Sequence, residues 1–161
     1  MIRYLGMALL FFSALAASGL YADRRRARLL ELEAWLILTV TLREEISTHL
    51  RPLREALSEL SLPPLMHSGF LEAVREGQSV RRAWEMSSAK STLMGDARRA
   101  VDGLLATLGR SHRAEELDRL AVHEQRLRSL VETERADGAR AVRLCRTLCT
   151  SAALALALVL L

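Results

Sequence analysis

Uncharged residues fill both ends of the chain, and a mixed apolar and charged pattern fills the middle. No charge interrupts the run from Tyr4 to Ala22. As a helix this run is about 28 Å long, close to the ~30 Å hydrocarbon core of a bilayer. After Arg146 a second uncharged run extends from Thr147 to Leu161, only about 22 Å as a helix. It spans if Arg143 and Arg146 snorkel and the chain end sits in the far headgroups. The pattern therefore predicts a transmembrane helix over 1–22, a body over 23–146 and a second transmembrane helix over 147–161.

A cleaved signal peptide is the competing reading of the first segment. Arg3 would be its n-region, and Leu20-Tyr21-Ala22 would end it on a small residue. Against cleavage stand Arg24, Arg25, Arg26 and Arg28, directly after the apolar run. Positive charge there favours an anchor held on the cytoplasmic side. Arg140, Arg143 and Arg146 precede the second run and no charge follows it. Both termini are then expected on the far side of the membrane, with a cytoplasmic body between them. These seven arginines form a basic collar suited to fixing topology and holding anionic lipid headgroups.

Inside the body the spacing changes to three and four. Leu29, Leu32, Leu36, Thr39, Leu42, Ile46 and Leu50 make the stripe of an amphipathic helix continuing from the first span. Pro52 should break it, with Leu53, Leu57 and Leu60 carrying a shorter helix onward. Leu62-Pro63-Pro64 predicts a loop. Phe70, Leu71 and Val74 give one short helix ending at Gly77. Ser79 caps a second containing Val80, Ala83 and Trp84. Ser91 or Thr92 should cap a helix with Leu93, Val101, Leu104, Leu105 and Leu108, stopped by Gly109, with Ser111 capping the next. From His112 a helix runs into the C-terminal apolar segment on a stripe of Leu117, Leu120, Leu127, Leu130 and Val131. The fold class is all-α: two terminal transmembrane helices flanking a cytoplasmic antiparallel helical bundle.

Composition narrows the chemistry. The chain has 161 residues, half of them apolar but only 4% aromatic, which suits helices better than a sandwich or barrel. A pI near 9.8 suggests nucleic acid. However, the body holds all but one of the 23 basic residues and all 19 acidic ones, so it is only slightly basic. Trp35 and Trp84 stand alone, without an aromatic-interleaved basic surface, so no nucleic-acid partner is expected. They are read as core or interface anchors, Trp84 either filling an apolar gap or anchoring a partner.

No constellation of catalytic groups is apparent in the sequence. His49, His67, His112 and His123 are read as ordinary polar residues, the last two about 16 Å apart along one helix and too far apart to share a metal. Cys145 and Cys149 share a helical face and read as small packing residues in a reducing cytosol. Glu44-Glu45 and Glu115-Glu116 read as solvated faces with arginine partners. No phosphate-cradling loop or nucleophile elbow is present. The expectation is a non-enzymatic interaction protein without cofactor or metal.

The residues in their order also resemble a known family, stage III sporulation protein AB. The resemblance runs from the first span with Gly6 through Leu42, Glu45 and Ile46. It continues with Pro52, Leu53, Glu55 and Ala56 of PLREAL, then Val80, Ala83 and Trp84 of SVRRAW. Leu108-Gly109 follows, before the long last helix. His112 stands where an acidic residue is expected after Leu-Gly, and Leu148 and Cys149 stand where the second span should carry glycines. The resemblance implies a cytoplasmic region similar to the type II secretion platform protein F. It implies a place in the mother-cell membrane around the forespore, within a transenvelope channel complex of endospore formation. The implied partners are other channel proteins, including the operon ATPase, stage III sporulation protein AA, together with membrane lipids and room for a homo-oligomer. A membrane-tethered scaffold or signalling adaptor unrelated to secretion is the alternative, and a processed exported helical protein with one C-terminal anchor is a third.

Overall fold

The computed structural model describes the backbone of residues 2–48, 55, 57, 59–108 and 112–160. Side chains are described within 19–48, those middle stretches, 112–141, and positions 143, 144, 147, 148 and 151. Among the described residues there are helices and no strand. Among the described residues, two long helices, α1 (Ile2–Thr48) and α6 (Arg113–Leu160), frame shorter ones that include α2 (Pro63–His67), α3 (Phe70–Arg75), α4 (Val80–Ser87) and α5 (Gly95–Thr107), and positions 55, 57 and 59 are also helical. The chain divides into a unit Ala27–Glu132 and a unit formed by Met1–Arg26 with Thr133–Leu161. Among the described residues no helix is long and apolar enough to cross a membrane. Most side chains of the expected spans, over 1–22 and 147–161, lie outside the described residues. Leu50, Pro52, Leu53, Gly109 and Ser111, with their expected break and caps, lie outside them too, as do His49, Ala56 and the side chains of Cys145, Arg146 and Cys149.

The core of Ala27–Glu132 is a single apolar cluster drawn from every helix. Its face on α1 differs from the expected stripe. Leu32, Trp35, Leu38, Thr39 and Leu42 are fully buried, whereas Leu29, Leu36 and Ile46 are only partly covered. The seam is centred on Trp35 and Leu38 because the large indole needs the enclosed position. Trp35 packs against Phe70 at 4.9 Å between ring centroids. It meets Trp84 edge-on at 5.2 Å, a favoured aromatic geometry. The two tryptophans therefore do not stand alone, and the short-helix insertion is what brings them together. Thr39 is tolerated at the seam because its hydroxyl donates to the Trp35 carbonyl at 2.8 Å. On α6 the buried line runs Glu116, Leu120, Glu124, Leu127 and Val131, with Leu130 partly covered. Arg113 donates to the Ser47 carbonyl and Arg43 pairs with Glu124, so α6 runs antiparallel to α1 here, as expected.

Two local expectations are corrected. Leu62-Pro63-Pro64 is not a loop but the start of α2, with Leu62 as N-cap and proline in the first turn. The first-turn amides of a helix have no intrahelical acceptor, so proline loses nothing there. Met94, not Ser91 or Thr92, caps α5, and without a side-chain hydrogen bond. The short helices α3 and α4 follow the sequence reading. Gly77 at φ 99° ends α3, with its N–H on the Val74 carbonyl and the Gln78 N–H on the Ala73 carbonyl. That is a Schellman closure, whose left-handed residue favours glycine. Ser79 Oγ accepts from the Arg82 N–H at 3.3 Å and caps α4.

Candidate functional site

The polar groups expected to cap α5 do something else. Ser91 Oγ donates to Glu31 Oε1 at 2.6 Å. The Thr92 N–H and hydroxyl both donate to Glu31 Oε2, at 2.7 and 2.6 Å. Glu31 is 4% exposed, so its carboxylate is satisfied by the segment before α5, which is thereby fastened to α1. Charge-assisted bonds of this length are the strong kind. A second clip joins the long helices. Glu124 stands between Arg43, at 2.7 Å, and Arg128, at 2.9 Å. Glu116, read from sequence as part of a solvated pair, is buried. Glu115 keeps the expected surface pairing, with Arg119. Periodicity alone could not reveal the Glu31 and Glu124 clips, because Ser91, Thr92 and Arg43 are far from those acids in sequence.

Trp84 has a different environment from Trp35. Its ring is 6% exposed, and its indole N–H donates to Asp102 Oδ1 at 2.6 Å. With Arg81, Glu85, Ser88, Arg98, Asp102, Leu105 and Ala106 it lines a shallow groove of about 370 Å³ between α4 and α5. Arg81 and Arg82 both reach Glu85, and Arg99 pairs with Asp96. Two arginines, Arg81 and Arg98, and two acids, Glu85 and Asp102, thus line the groove beside Trp84 and Leu105. Such a groove has the size and mixed lining to take one apolar side chain with polar groups at its edge. It offers no nucleophile with an adjacent base, and among the described residues no group of His, Cys, Asp and Glu could hold a metal. Of the described histidines His67 and His112 are exposed. His123 Nε2 lies 3.5 Å from Thr107 Oγ1. Burial, and then the nearby Arg126, hold its pKa below the ordinary value of 6.5.

The other expected positions fall in several places. Ala83 is buried beside Trp84, Leu42 in the α1 seam, and Ile46 and Leu108 at its margin. Glu45 is half-buried. Of the collar, Arg24, Arg26 and Arg143 are exposed. Arg25 reaches Glu134 at 3.6 Å, Arg28 approaches the Met94 thioether at 3.8 Å, and Arg140 pairs with Asp137 at 3.8 Å.

Fold and site together define, among the described residues, an all-helical protein whose polar clips serve packing. The sequence pattern of stage III sporulation protein AB matches residues 3–161. The chain belongs to that family, and its role is in sporulation. No curated protein and no solved structure is similar enough to match it.

Proposed function

We propose that the chain is a non-enzymatic membrane component of the mother-cell to forespore channel complex, and that its helical body is a platform for assembly. The observation that carries this reading is the family match over 3–161. The uncharged runs at both ends, each with arginines on its inner flank, support anchoring by two spans with the body in the mother-cell cytoplasm. The resemblance of the family's cytoplasmic region to the secretion platform protein F supports a scaffold role. In this reading the ATPase of the same operon, stage III sporulation protein AA, supplies the nucleotide chemistry, and the Trp84 groove seats a segment of a channel protein.

The test is made in sporulating cells lacking the endogenous gene. The full chain should restore heat-resistant spores. A photoreactive residue replacing Arg98 at the groove rim should crosslink to the ATPase or another channel protein, and one replacing Ser129 should not. Normal spore yield without the gene would remove the role. Identical crosslinks from both positions would remove the groove.

A further inference from the structure

Measured from Thr147, the second apolar run makes only roughly 22 Å of helix, short of the ~30 Å bilayer core. The unit formed by Met1–Arg26 and Thr133–Leu161 changes where that run begins. Within it Arg25 Nε stands 3.6 Å from Glu134 Oε2, and a Cβ on Gly138 would meet the same Nε at 3.8 Å. Arg25 is therefore level with the turn between Glu134 and Gly138. Because α1 and α6 run in opposite directions, one turn back along α1 reaches Tyr21, and one turn on along α6 reaches about Ala141.

Beyond that level large apolar side chains are exposed on both helices, on α6 beside Arg143, Thr147 and Ser151. Leu20 and Tyr21 are each 63% exposed, Leu144 is 63% exposed and Leu148 is 67% exposed. On helices surrounded by water, so many large apolar side chains in one short band would be an unusual patch. The stretch from Ile2 to Tyr21 and the stretch from Ala141 to Leu160 each hold about 20 residues, roughly 30 Å of helix. Measured from a common level, the two helices match each other and a bilayer.

We propose that the lipid-contacting part of α6 begins near Ala141 rather than at Thr147, and that Leu20, Tyr21, Leu144 and Leu148 meet the lipid of a bilayer. This rests on the spanning reading given above. Lipid is the occupant because the band is continuous with the uncharged runs of both helices. Tyr21 sits at the interface, where aromatic rings with a polar tip are favoured. Arg143 lies inside the band and carries its guanidinium back to the phosphates along its aliphatic stem. The collar thereby divides. Arg24, Arg26 and Arg140 stay at headgroup level, and Arg143, with Arg146 three residues further along the sequence, belongs to the span itself as a snorkelling residue.

The full chain, with Cys145 and Cys149 replaced by alanine, carries single nitroxide labels on Phe12→Cys, Tyr21→Cys, Ala136→Cys, Leu144→Cys or Leu148→Cys. It is placed in vesicles of phosphatidylethanolamine and phosphatidylglycerol, with helicity checked for each variant. Relaxation by oxygen reports lipid, and relaxation by a water-soluble nickel chelate reports water. The proposal expects positions 12, 144 and 148 to favour oxygen several-fold over position 136, with position 21 between them. If position 12 favours oxygen while 144 and 148 favour nickel, the spans stand and the proposal is overturned. If 144 and 148 are shielded from both reagents, protein covers them, such as a second copy, and the proposal is again overturned. If position 12 itself favours nickel, the spanning reading falls as well.

Discussion

Within Ala27–Glu132, α1 and α6 turn Trp35, Leu38, Leu42, Leu120 and Leu127 inward until almost no surface remains. In the unit formed by Met1–Arg26 and Thr133–Leu161, the same two helices leave Leu20, Tyr21, Leu144 and Leu148 outward. The backbone is α-helical in both. The difference lies in what surrounds the side chains: the short helices supply a protein core in one unit, and no such insertion accompanies the other. An apolar residue on a long helix therefore does not by itself mark a core position, because its meaning depends on which neighbours the chain brings to that level.

The largest effect is expected from emptying the inward side. Trp35→Ala removes the ring joining Phe70 and Trp84 and should cost about 3–5 kcal/mol, read as a lowered midpoint in denaturant unfolding. Leu144→Ala should leave that midpoint unchanged. Next comes the Glu31 clip. Glu31→Ala leaves Ser91 and Thr92 without their acceptor and should cost about 2–3 kcal/mol by the same measurement. If it costs nothing, the segment before α5 is held by Leu93 and not by the clip. Asp102→Ala should cost about 1 kcal/mol, the worth of one hydrogen bond, and should weaken crosslinking from the groove more than it weakens the fold.

The smallest effect is a pH dependence. The pKa of His123 is depressed by burial first and by Arg126 second, so the unfolded chain binds its proton more readily than the folded one. Its contribution to stability is complete above the ordinary 6.5 and is lost as pH falls from there through the depressed value. Thermal unfolding across pH 5–8 should show this slope, and His123→Gln should flatten it. An unchanged slope in the variant would assign the acid sensitivity to other groups.

What could be read from sequence follows the range of each interaction. Ser79 and Gly77 act on amides within a few residues, so the boundaries of α3 and α4 were legible. The helical start of Pro63-Pro64 was not, because proline marks both loops and first turns. Counting leucines set the α1 stripe on Leu36 and left out Trp35 and Leu38, whose burial depends on Phe70 and Trp84 arriving from the insertion. Ser91 and Thr92 have a capping appearance, but their acceptor, Glu31, is sixty residues away. The Trp84 groove needs α4 and α5 placed together, so its tryptophan was visible as an anchor while Asp102 was not.

Amide hydrogen exchange on the full chain, once in vesicles and once in lipid-free buffer with a mild denaturant below the unfolding midpoint, tests the central contrast most directly. Burial against protein should keep 31–42 and 116–131 slow in both conditions. The segments 5–21 and 144–160 should be slow in vesicles and fast without lipid. Equal protection of those segments in both conditions would contradict the account, because it would mean that protein contacts hold the ends of α1 and α6 as they hold the body.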